Sequence, residues 1–397
     1  MDVDVVARLR TAAGRRLLAQ ASGLLAAGTD TLAATARLRA TSTDHELVAA
    51  ALTQAQLRAA ARPRFGPDAE VMLWTRAGLE QATRAVVARH RAARYAALGP
   101  HRTADLCCGV GGDLVALARA GLAVLGVDVD PVTAALARAN VEELGLGADV
   151  EIRADDVTRT DLTGCDAAFL DPARRDRAGR RTFDPAGYAP AWSFVAELAA
   201  RIPATGVKAA PGFPHALVPA GVEAELVSDA GEVKEAVLWH GPLATPGVHR
   251  RATLLPGGAS LVDDPAVAAP AVRPAGRWLH EPDGAVVRAG LVAEVAAALD
   301  GWLLDPRVAY VCTDHDVGSP FTRRYAVEDV LPFQLKRLRA LLRERGVGDV
   351  VVKKRASAVD PEDLRRRLRL PGHGPTQTLV LTRVAERPVV LLVRPQP

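Results

Sequence analysis

The fold of this chain is decided by the stretch Asp105-Leu-Cys-Cys-Gly-Val-Gly-Gly-Asp113. Residues 103–107 form an apolar-flanked run that predicts a β-strand, and residues 113–120 have the apolar spacing of a helix, which Gly121 closes. Glycines between a strand and a helix allow positive φ and let the backbone approach a ligand. The stretch therefore predicts a ligand-binding turn.

Three further predicted strands end in acidic residues. Residues 123–127 precede Asp128, residues 149–153 precede Asp155-Asp156-Val157, and residues 166–170 precede Asp171-Pro172. Strands that alternate with helices form a parallel sheet, whose carboxyl ends meet at one edge where such folds bind ligands. We expect Asp128 to accept hydrogen bonds from ribose hydroxyls, and an acid beside Val157 to accept one from an adenine amino group.

Asp105 distinguishes between two ligands that such a turn could hold. A dinucleotide places a pyrophosphate at the glycines, and the negative charge of Asp105 would oppose it. The same charge suits the cationic sulfonium and ammonium groups of S-adenosylmethionine. An NAD-linked oxidoreductase therefore stays a distant alternative.

In this order and spacing the residues resemble the class I S-adenosylmethionine-dependent methyltransferases. Residues 105–112 match motif I, Asp128 motif II, Asp156 motif III and residues 171–174 motif IV. Three further stretches resemble a bacterial group that carries a C-terminal THUMP-like domain, and they extend the likeness over most of residues 70–397: 79–83, 231–235 and 279–290. The resemblance implies an α/β fold with a Rossmann-like, seven-stranded core, an N-terminal helical region and a small C-terminal α/β domain.

The resemblance also implies the residues of the site. Those expected to bind S-adenosylmethionine are Asp105, Cys107, Gly109, Gly111, Gly112, Asp128, Asp155, Asp156 and Val157. Those expected to orient the methyl acceptor are Asp171, Pro172 and Arg174. Related nitrogen methyltransferases have a second proline and an aromatic residue where this chain has Ala173 and Arg174, so the acceptor atom is left open.

Two kinds of side chain could complete the acceptor site. Phe183, Tyr188 and Trp192 are candidates to stack on a base, although packing roles are the simpler interpretation. A pyrimidine C5 mechanism would need a nucleophilic cysteine, and the loop after the fifth strand, residues 208–213, contains none.

Cysteine and histidine spacing predicts no metal site and no disulfide framework.

The chain is long enough for several domains. We predict a helical region over residues 1–100, a methyltransferase core over 101–244, a bridge rich in Pro, Gly and Ala over 245–275, and a THUMP-like domain over 276–397. The pattern before the core predicts one helix over residues 75–97 with four arginines facing outward: Arg84, Arg89, Arg91 and Arg94.

Composition restricts the class of protein. Hydrophobic residues make up 49% and charged residues 24% of the chain, which is ordinary for a globular protein. No apolar run is long enough for a membrane span, and the N-terminus carries acids where a signal peptide would carry bases. We therefore expect a cytoplasmic protein with no membrane partner.

Basic residues concentrate near the C-terminus. Residues 321–394 contain 17 Lys and Arg against 8 Asp and Glu, including the runs 353–355 and 365–369. An excess of positive charge suits phosphate binding, and residues 174–181 add a second basic run. With the resemblance, this predicts a methyltransferase (EC 2.1.1.-) that acts on tRNA or rRNA. The alternatives are a small-molecule or protein methyltransferase and a non-catalytic protein that binds S-adenosylmethionine and nucleic acid.

Overall fold

In the computed structural model, residues 2–173, 187–384 and 387–396 are described. The chain divides into two compact units: Met1–Glu223 with Ala236–Gly247, and Ala224–Glu235 with Val248–Pro397. The bounds of the four regions expected from the sequence stay predictions. Within the described ranges, no helix combines the length and apolarity that crossing a membrane requires.

The first unit begins with four helices: α1 (Val3–Leu9), α2 (Ala12–Ala26), α3 (Thr31–Arg39) and α4 (His45–Phe65). Each has an N-cap residue whose side-chain oxygen accepts a hydrogen bond from an N–H group of the first turn. In chain order these N-cap residues are Asp2, Thr11, Asp30 and Asp44. Their apolar faces share one buried cluster with Val110 of the glycine turn and with Leu136 and Ala139. The N-terminal helices are therefore packed against the core.

The prediction of a single helix over residues 75–97 is wrong. The chain forms α5 (Arg76–Gln81) and α6 (Ala85–Leu98), with Ala82 extended between them at ψ 136°. The break lets the Thr83 hydroxyl donate to Asp113 Oδ2 at 2.7 Å. Apolar spacing continues across the break, so periodicity alone could not reveal it.

The core of the first unit alternates strands with helices. Its elements are β1 (Arg102–Leu106), α7 (Gly112–Arg119), β2 (Ala123–Asp128), α8 (Pro131–Glu143), β3 (Val150–Ala154), β4 (Ala167–Leu170), α9 (Trp192–Arg201), β5 (Ala204–Ala209) and the second half of β7 (Glu232–Trp239). The order is β3-β2-β1-β4-β5-β7, parallel except that β7 runs antiparallel to β5. Strands β1, β2 and β4 thus bring Asp105, Asp128 and Asp171 to one edge.

The second unit contains two groups of strands. In the first, β6 (Glu223–Asp229) pairs parallel with β8 (Arg250–Leu255), which pairs antiparallel with β9 (Ala259–Val262). The other is a seven-stranded sheet in the order β11-β12-β10-β13-β16-β15-β14. Its strands are β10 (Trp278–Pro282), β11 (Trp302–Asp305), β12 (Val308–Thr313), β13 (Thr322–Pro332), β14 (Asp349–Lys354), β15 (Thr376–Val384) and β16 (Arg387–Pro395).

Four helices complete the second unit: α10 (Gly284–Ala289), α11 (Val292–Ala298), α12 (Leu335–Glu344) and α13 (Pro361–Leu368). Leu338 and Leu342 of α12 and Leu364 and Leu368 of α13 share a core cluster with β14, β15 and β16. Strand β13 was not expected from the sequence. Its charged residues come in two adjacent pairs, and only Tyr325 is fully buried, so its apolar signal is weak.

Candidate functional site

The glycine turn after β1 has a left-handed backbone. Cys107, Gly109 and Gly111 have φ values of 61°, 58° and 92°. Gly109 and Gly111 adopt this region without the steric cost that a side chain brings. The Gly111 N–H group donates to the Cys108 carbonyl at 3.0 Å and closes the turn immediately before α7. The turn and the start of α7 thus lie at the edge of the sheet.

Asp105 lies on β1 at the floor of this edge and is only 1% exposed. Its Oδ2 has no hydrogen-bond partner among the described residues. Burial, and next the nearby charge of Asp113, raise the pKa of Asp105 well above its ordinary value. A buried carboxyl with an unused oxygen is suited to a cationic ligand that enters the site.

Asp128, at the end of β2, is tied to the glycine turn. Its Oδ2 accepts from the Gly109 N–H group at 2.9 Å, and its Oδ1 accepts from the Asp130 N–H group at 3.0 Å. Burial raises the pKa of Asp128. The cap of α8 is Asp130, whose side chain accepts from Val132, so Asp128 is not the capping residue there.

The acidic residues after β3 face different surroundings. Asp156 Oδ1 accepts from the N–H and hydroxyl groups of Thr158, at 2.9 and 2.8 Å, and the backbone bond in particular lowers the pKa of Asp156. Asp155 is exposed and accepts from Thr160 and from the Asp156 N–H group. Val157 is 6% exposed.

At the end of β4, Asp171 has a partner on the neighbouring strand β5. Its Oδ2 accepts from Lys208 Nζ on β5 at 2.5 Å, and Lys208 Nζ also donates to Thr83 Oγ1 at 3.0 Å. Thr83 donates to Asp113, which forms an ion pair with Arg91. A buried chain of polar contacts therefore extends from motif IV to α6.

Arg91 was expected from the sequence on the outward face of a helix, and this prediction is wrong. It is 1% exposed, and its guanidinium lies 4.0 Å from the centroid of the Phe169 ring. Asp113 neutralises its charge and the ring packs on its face, which together permit burial. Neither Arg91 nor Asp113 was assigned to the site from the sequence. The signal in the sequence that could have indicated Asp113 was its place as an acid at the start of a helix after a glycine turn.

A cleft of about 770 Å³ opens at this edge, within the size range of ligand pockets. Of the predicted residues, those that line it are Asp105, Cys107, Gly109, Gly112, Asp128, Asp156, Val157, Asp171 and Pro172. Gly111 and Asp155 are not in its lining. Arg174, Phe183 and the basic run 174–181 lie outside the described residues.

Further lining residues come from α5 and the break after it, including Gly78, Gln81 and Thr83, and from Ala189 and Pro190. Two of the aromatic candidates pack nearby. Tyr188 is 4% exposed, with its ring 5.7 Å from that of Trp192, which lies 5.0 Å from Phe213. Trp192 is the half-exposed member of this trio.

Comparison with known proteins identifies relatives of this chain. Family profiles match a domain of unknown function over residues 2–61, a methyltransferase domain over 104–171 and a THUMP-like domain over 322–395. Two proteins of Mycobacterium tuberculosis, from strains CDC 1551 and H37Rv, are described as uncharacterised S-adenosylmethionine-dependent methyltransferases. Each is 41% identical to this chain over 326 residues, which cover 80% of this chain and 87% of the relative.

The chain belongs to the S-adenosylmethionine-dependent methyltransferases. The predicted family and its cofactor, S-adenosylmethionine, are thereby confirmed. The predicted fold class is confirmed too. A protein of Porphyromonas gingivalis W83, crystallised as a candidate methyltransferase, has the same fold at 22% identity and a TM-score of 0.77, with 96% of this chain and 99% of that chain covered.

The residues of this methyltransferase cleft fit the cofactor. The unpartnered Oδ2 of Asp105 can accept from a cationic group, and Gly109, whose N–H group donates to Asp128, has open space where a side chain would project. Burial raises the pKa of Cys107, which keeps its side chain a neutral thiol. Within the described residues no group of His, Cys, Asp or Glu is placed to hold a metal ion.

The second unit of the methyltransferase contains a separate charged cluster. Glu281 on β10 accepts from Lys353 Nζ at 2.5 Å and from the Tyr325 hydroxyl at 2.9 Å, and Arg355 lies 3.8 Å away. Arg355 also donates to the carbonyls of Ala309 and Pro282. Lys353 and Arg355, expected on a phosphate-binding surface, are therefore engaged within the unit.

Proposed function

We propose that this protein transfers a methyl group from S-adenosylmethionine to a base of tRNA or rRNA. The observation that carries the proposal is the cleft, where the unpartnered carboxyl of Asp105 and the motif IV carboxyl of Asp171 line the same cavity. One can hold a cationic donor and the other can orient an acceptor. A cytoplasmic location belongs to the same proposal.

Bound S-adenosylmethionine supplies an electrophilic methyl group. The residues of the chain then have mainly to align the reactants at about 3 Å, which accounts for much of the rate of such a transfer. We assign the donor side to Asp105, Cys107, Gly109, Gly111, Gly112, Asp128, Asp155, Asp156 and Val157, and the acceptor side to Asp171, Pro172 and Arg174. Asp171 would accept a hydrogen bond from the group that is methylated.

Two observations support RNA as the substrate. Residues 322–395 match the THUMP-like family, and true THUMP domains bind tRNA. Besides Arg365, whose Nε donates to the Val350 carbonyl, five exposed basic residues lie on α12 and α13: Lys336, Arg337, Arg343, Arg366 and Arg367. The two helices adjoin, since Arg339 donates to the Arg367 carbonyl. We call these five residues the basic helix pair, and we propose it as the RNA contact in place of Lys353 and Arg355.

The test is methyl transfer from labelled S-adenosylmethionine to total RNA from cells that lack the protein. We expect label in RNA and loss of at least about 100-fold in rate for Asp171→Asn, because an orienting and proton-accepting group of this kind contributes about 10²–10⁴-fold. The matched control is Asp166→Asn. Asp166 accepts from His101 and Arg102 at the opposite end of β4.

Three outcomes would contradict the proposal. Cofactor binding without label in any RNA would favour the non-catalytic alternative. Label in protein or in small metabolites would favour the other substrate classes. Affinity for NADH in place of S-adenosylhomocysteine would revive the oxidoreductase. If RNA is labelled, mass spectrometry of nucleosides from cells without the protein would identify the missing modification.

A further inference from the structure

Lys208 stands out in the cleft because this chain uses lysine so rarely. Only five of its fifty basic residues are lysine, at positions 208, 234, 336, 353 and 354. Arginine occupies the other basic positions. Lys208 is 5% exposed and lines the cleft. Its compact ammonium concentrates three donors on one atom, which a planar guanidinium cannot do in the same space.

Two of the three donors have defined partners. Nζ donates to Asp171 Oδ2 at 2.5 Å and to Thr83 Oγ1 at 3.0 Å. Thr83 is held in turn by its hydrogen bond to Asp113. The ammonium is therefore fixed by Thr83, in the break before α6, and through it by Asp113 on α7, and both of these residues are buried.

The exposure of the two partners differs. The side chain of Lys208 is 6% exposed and that of Asp171 is 25% exposed. Both side chains line the cleft, and the carboxylate is the more exposed of the two. With Oδ2 engaged by Lys208, Oδ1 is the oxygen of Asp171 that a substrate can use.

We propose that Lys208 is a positioning residue, which compensates the charge of Asp171 and fixes Oδ2 so that Oδ1 accepts a hydrogen bond from the N–H group that is methylated. This rests on the proposed function, in which Asp171 orients the acceptor. It deepens that function by naming the acceptor class, a nitrogen that carries hydrogen, such as an exocyclic amino group of a base.

The transfer balances with no further reagent. The lone pair of the acceptor nitrogen forms the new bond to the methyl carbon, while the carbon–sulfur bond breaks and leaves its electron pair on sulfur. The nitrogen then loses the proton that faced Asp171. Oδ1 receives this proton and passes it to water at the mouth of the cleft. Lys208 keeps its own protons and acts only on the position of Asp171.

A spectroscopic test addresses the contact without any turnover. With five lysines in the chain, protein labelled with ¹³C at lysine Cε gives five signals, and the one lost in Lys208→Met is Lys208. We expect Asp171→Asn to shift this signal, and Asp166→Asn at the other end of β4 to leave it in place. An Asp171→Asn spectrum with the Lys208 signal unmoved would overturn the proposal.

A kinetic test addresses the role. We expect Lys208→Met to lower kcat for RNA methylation about 100-fold, the scale on which misplacement of a reacting group acts, while KM for S-adenosylmethionine changes less than about threefold. Asp171→Asn with Lys208→Met should be no slower than Asp171→Asn alone, because Lys208 acts through Asp171. Lys208→Arg should recover part of kcat, since it keeps the charge.

The outcomes separate the two proposals. Full activity of Lys208→Met, or losses that add in the double variant, would overturn the role of Lys208 while the proposed function stands. If the parent protein labels no RNA, the proposed function fails, and the lysine spectra still decide whether Lys208 holds Asp171. Lys234→Met is the matched lysine control, because Lys234 pairs with Glu232 outside the cleft.

Discussion

At the scale of single residues, the floor of the cleft combines burial with unused hydrogen-bonding capacity. Buried polar atoms in folded proteins almost always find a partner. Asp105 Oδ2 has none among the residues described, whereas Asp128 uses both oxygens on backbone N–H groups. Asp105 is therefore held ready for a ligand, and Asp128 also shapes the turn.

Burial of Asp105 predicts how stability depends on pH. Its pKa in the folded protein lies well above the ordinary 3.8, so folding takes up a proton between those two values. The stability that protonated Asp105 contributes is complete below pH 3.8 and is lost as pH rises through the raised pKa. Asparagine does not ionise, so Asp105→Asn does not lose stability in this way as pH rises. We expect its Tm without cofactor at pH 8 to exceed that of the parent by about 2–4 °C, which corresponds to roughly 1 kcal/mol.

In Asp105→Asn, binding of the cofactor should no longer release a proton or strengthen as pH rises. A cationic ligand favours ionised Asp105, so binding by the parent should release a proton and strengthen as pH rises. Calorimetry in two buffers of different ionisation enthalpy measures that proton. The exposed Asp149→Asn is the control for Tm. Identical stability curves for Asp105→Asn and the parent would contradict this account of Asp105.

At the scale of elements, Asn140 joins the N-terminal helices to the core. It is the only asparagine in the sequence, and it is fully buried on α8. Its Oδ1 accepts from the Leu73 N–H group at 2.6 Å, and its Nδ2 donates to the carbonyls of Leu73 at 3.0 Å and Val110 at 2.9 Å. One amide therefore connects the segment before α5 with the glycine turn.

Replacement of this amide should be costly. Asn140→Leu leaves one N–H group and two carbonyls without their partner, and we expect a loss of about 2–4 kcal/mol in the free energy of unfolding. The matched control is Gln56→Leu, whose exposed amide donates to Thr31 and should change stability by less than about 0.5 kcal/mol. Urea denaturation measures both, and equal effects would show that Asn140 is not a special contact.

The break between α5 and α6 shows why element bounds could not be deduced from the sequence. Alanines and valines continue the apolar spacing through residues 75–97, and a helix would satisfy it. The structure instead extends Ala82 so that Thr83 reaches Asp113 and Lys208. The gain lies in contacts between residues 30 and 125 positions apart in sequence, which no local pattern records.

At the scale of the whole molecule, basic residues divide into engaged and available groups. Lys353 and Arg355 surround Glu281, while the basic helix pair is exposed on α12 and α13. Among the residues that the structure describes, Arg366 and Arg367 form ion pairs only with Asp363 on their own helix, at 3.3 and 3.4 Å, and their side chains are 78% and 62% exposed. Such surface pairs are weak, so a phosphate can displace them.

RNA binding should therefore depend on salt through these residues. We expect Arg366→Ala with Arg367→Ala to weaken RNA binding about tenfold near 0.1 M salt, and to reduce the slope of log K against log salt by about 1.5–2. The control pair is Arg37→Ala with Arg39→Ala, which removes the same charge from exposed positions of α3. Equal losses in both pairs would mean a net-charge effect without a defined surface.

The sequence by itself determined the family, the cofactor and the order of the strands that carry Asp105, Asp128 and Asp171. Each of these follows from local information, because a strand, a glycine turn and a helix are encoded by neighbouring residues. Only the tertiary structure decided that Arg91 is buried, that Lys208 holds Asp171, and that Lys353 and Arg355 face Glu281. Which charge meets which depends on how distant elements pack, and burial then reduces the screening of those pairs by water and salt.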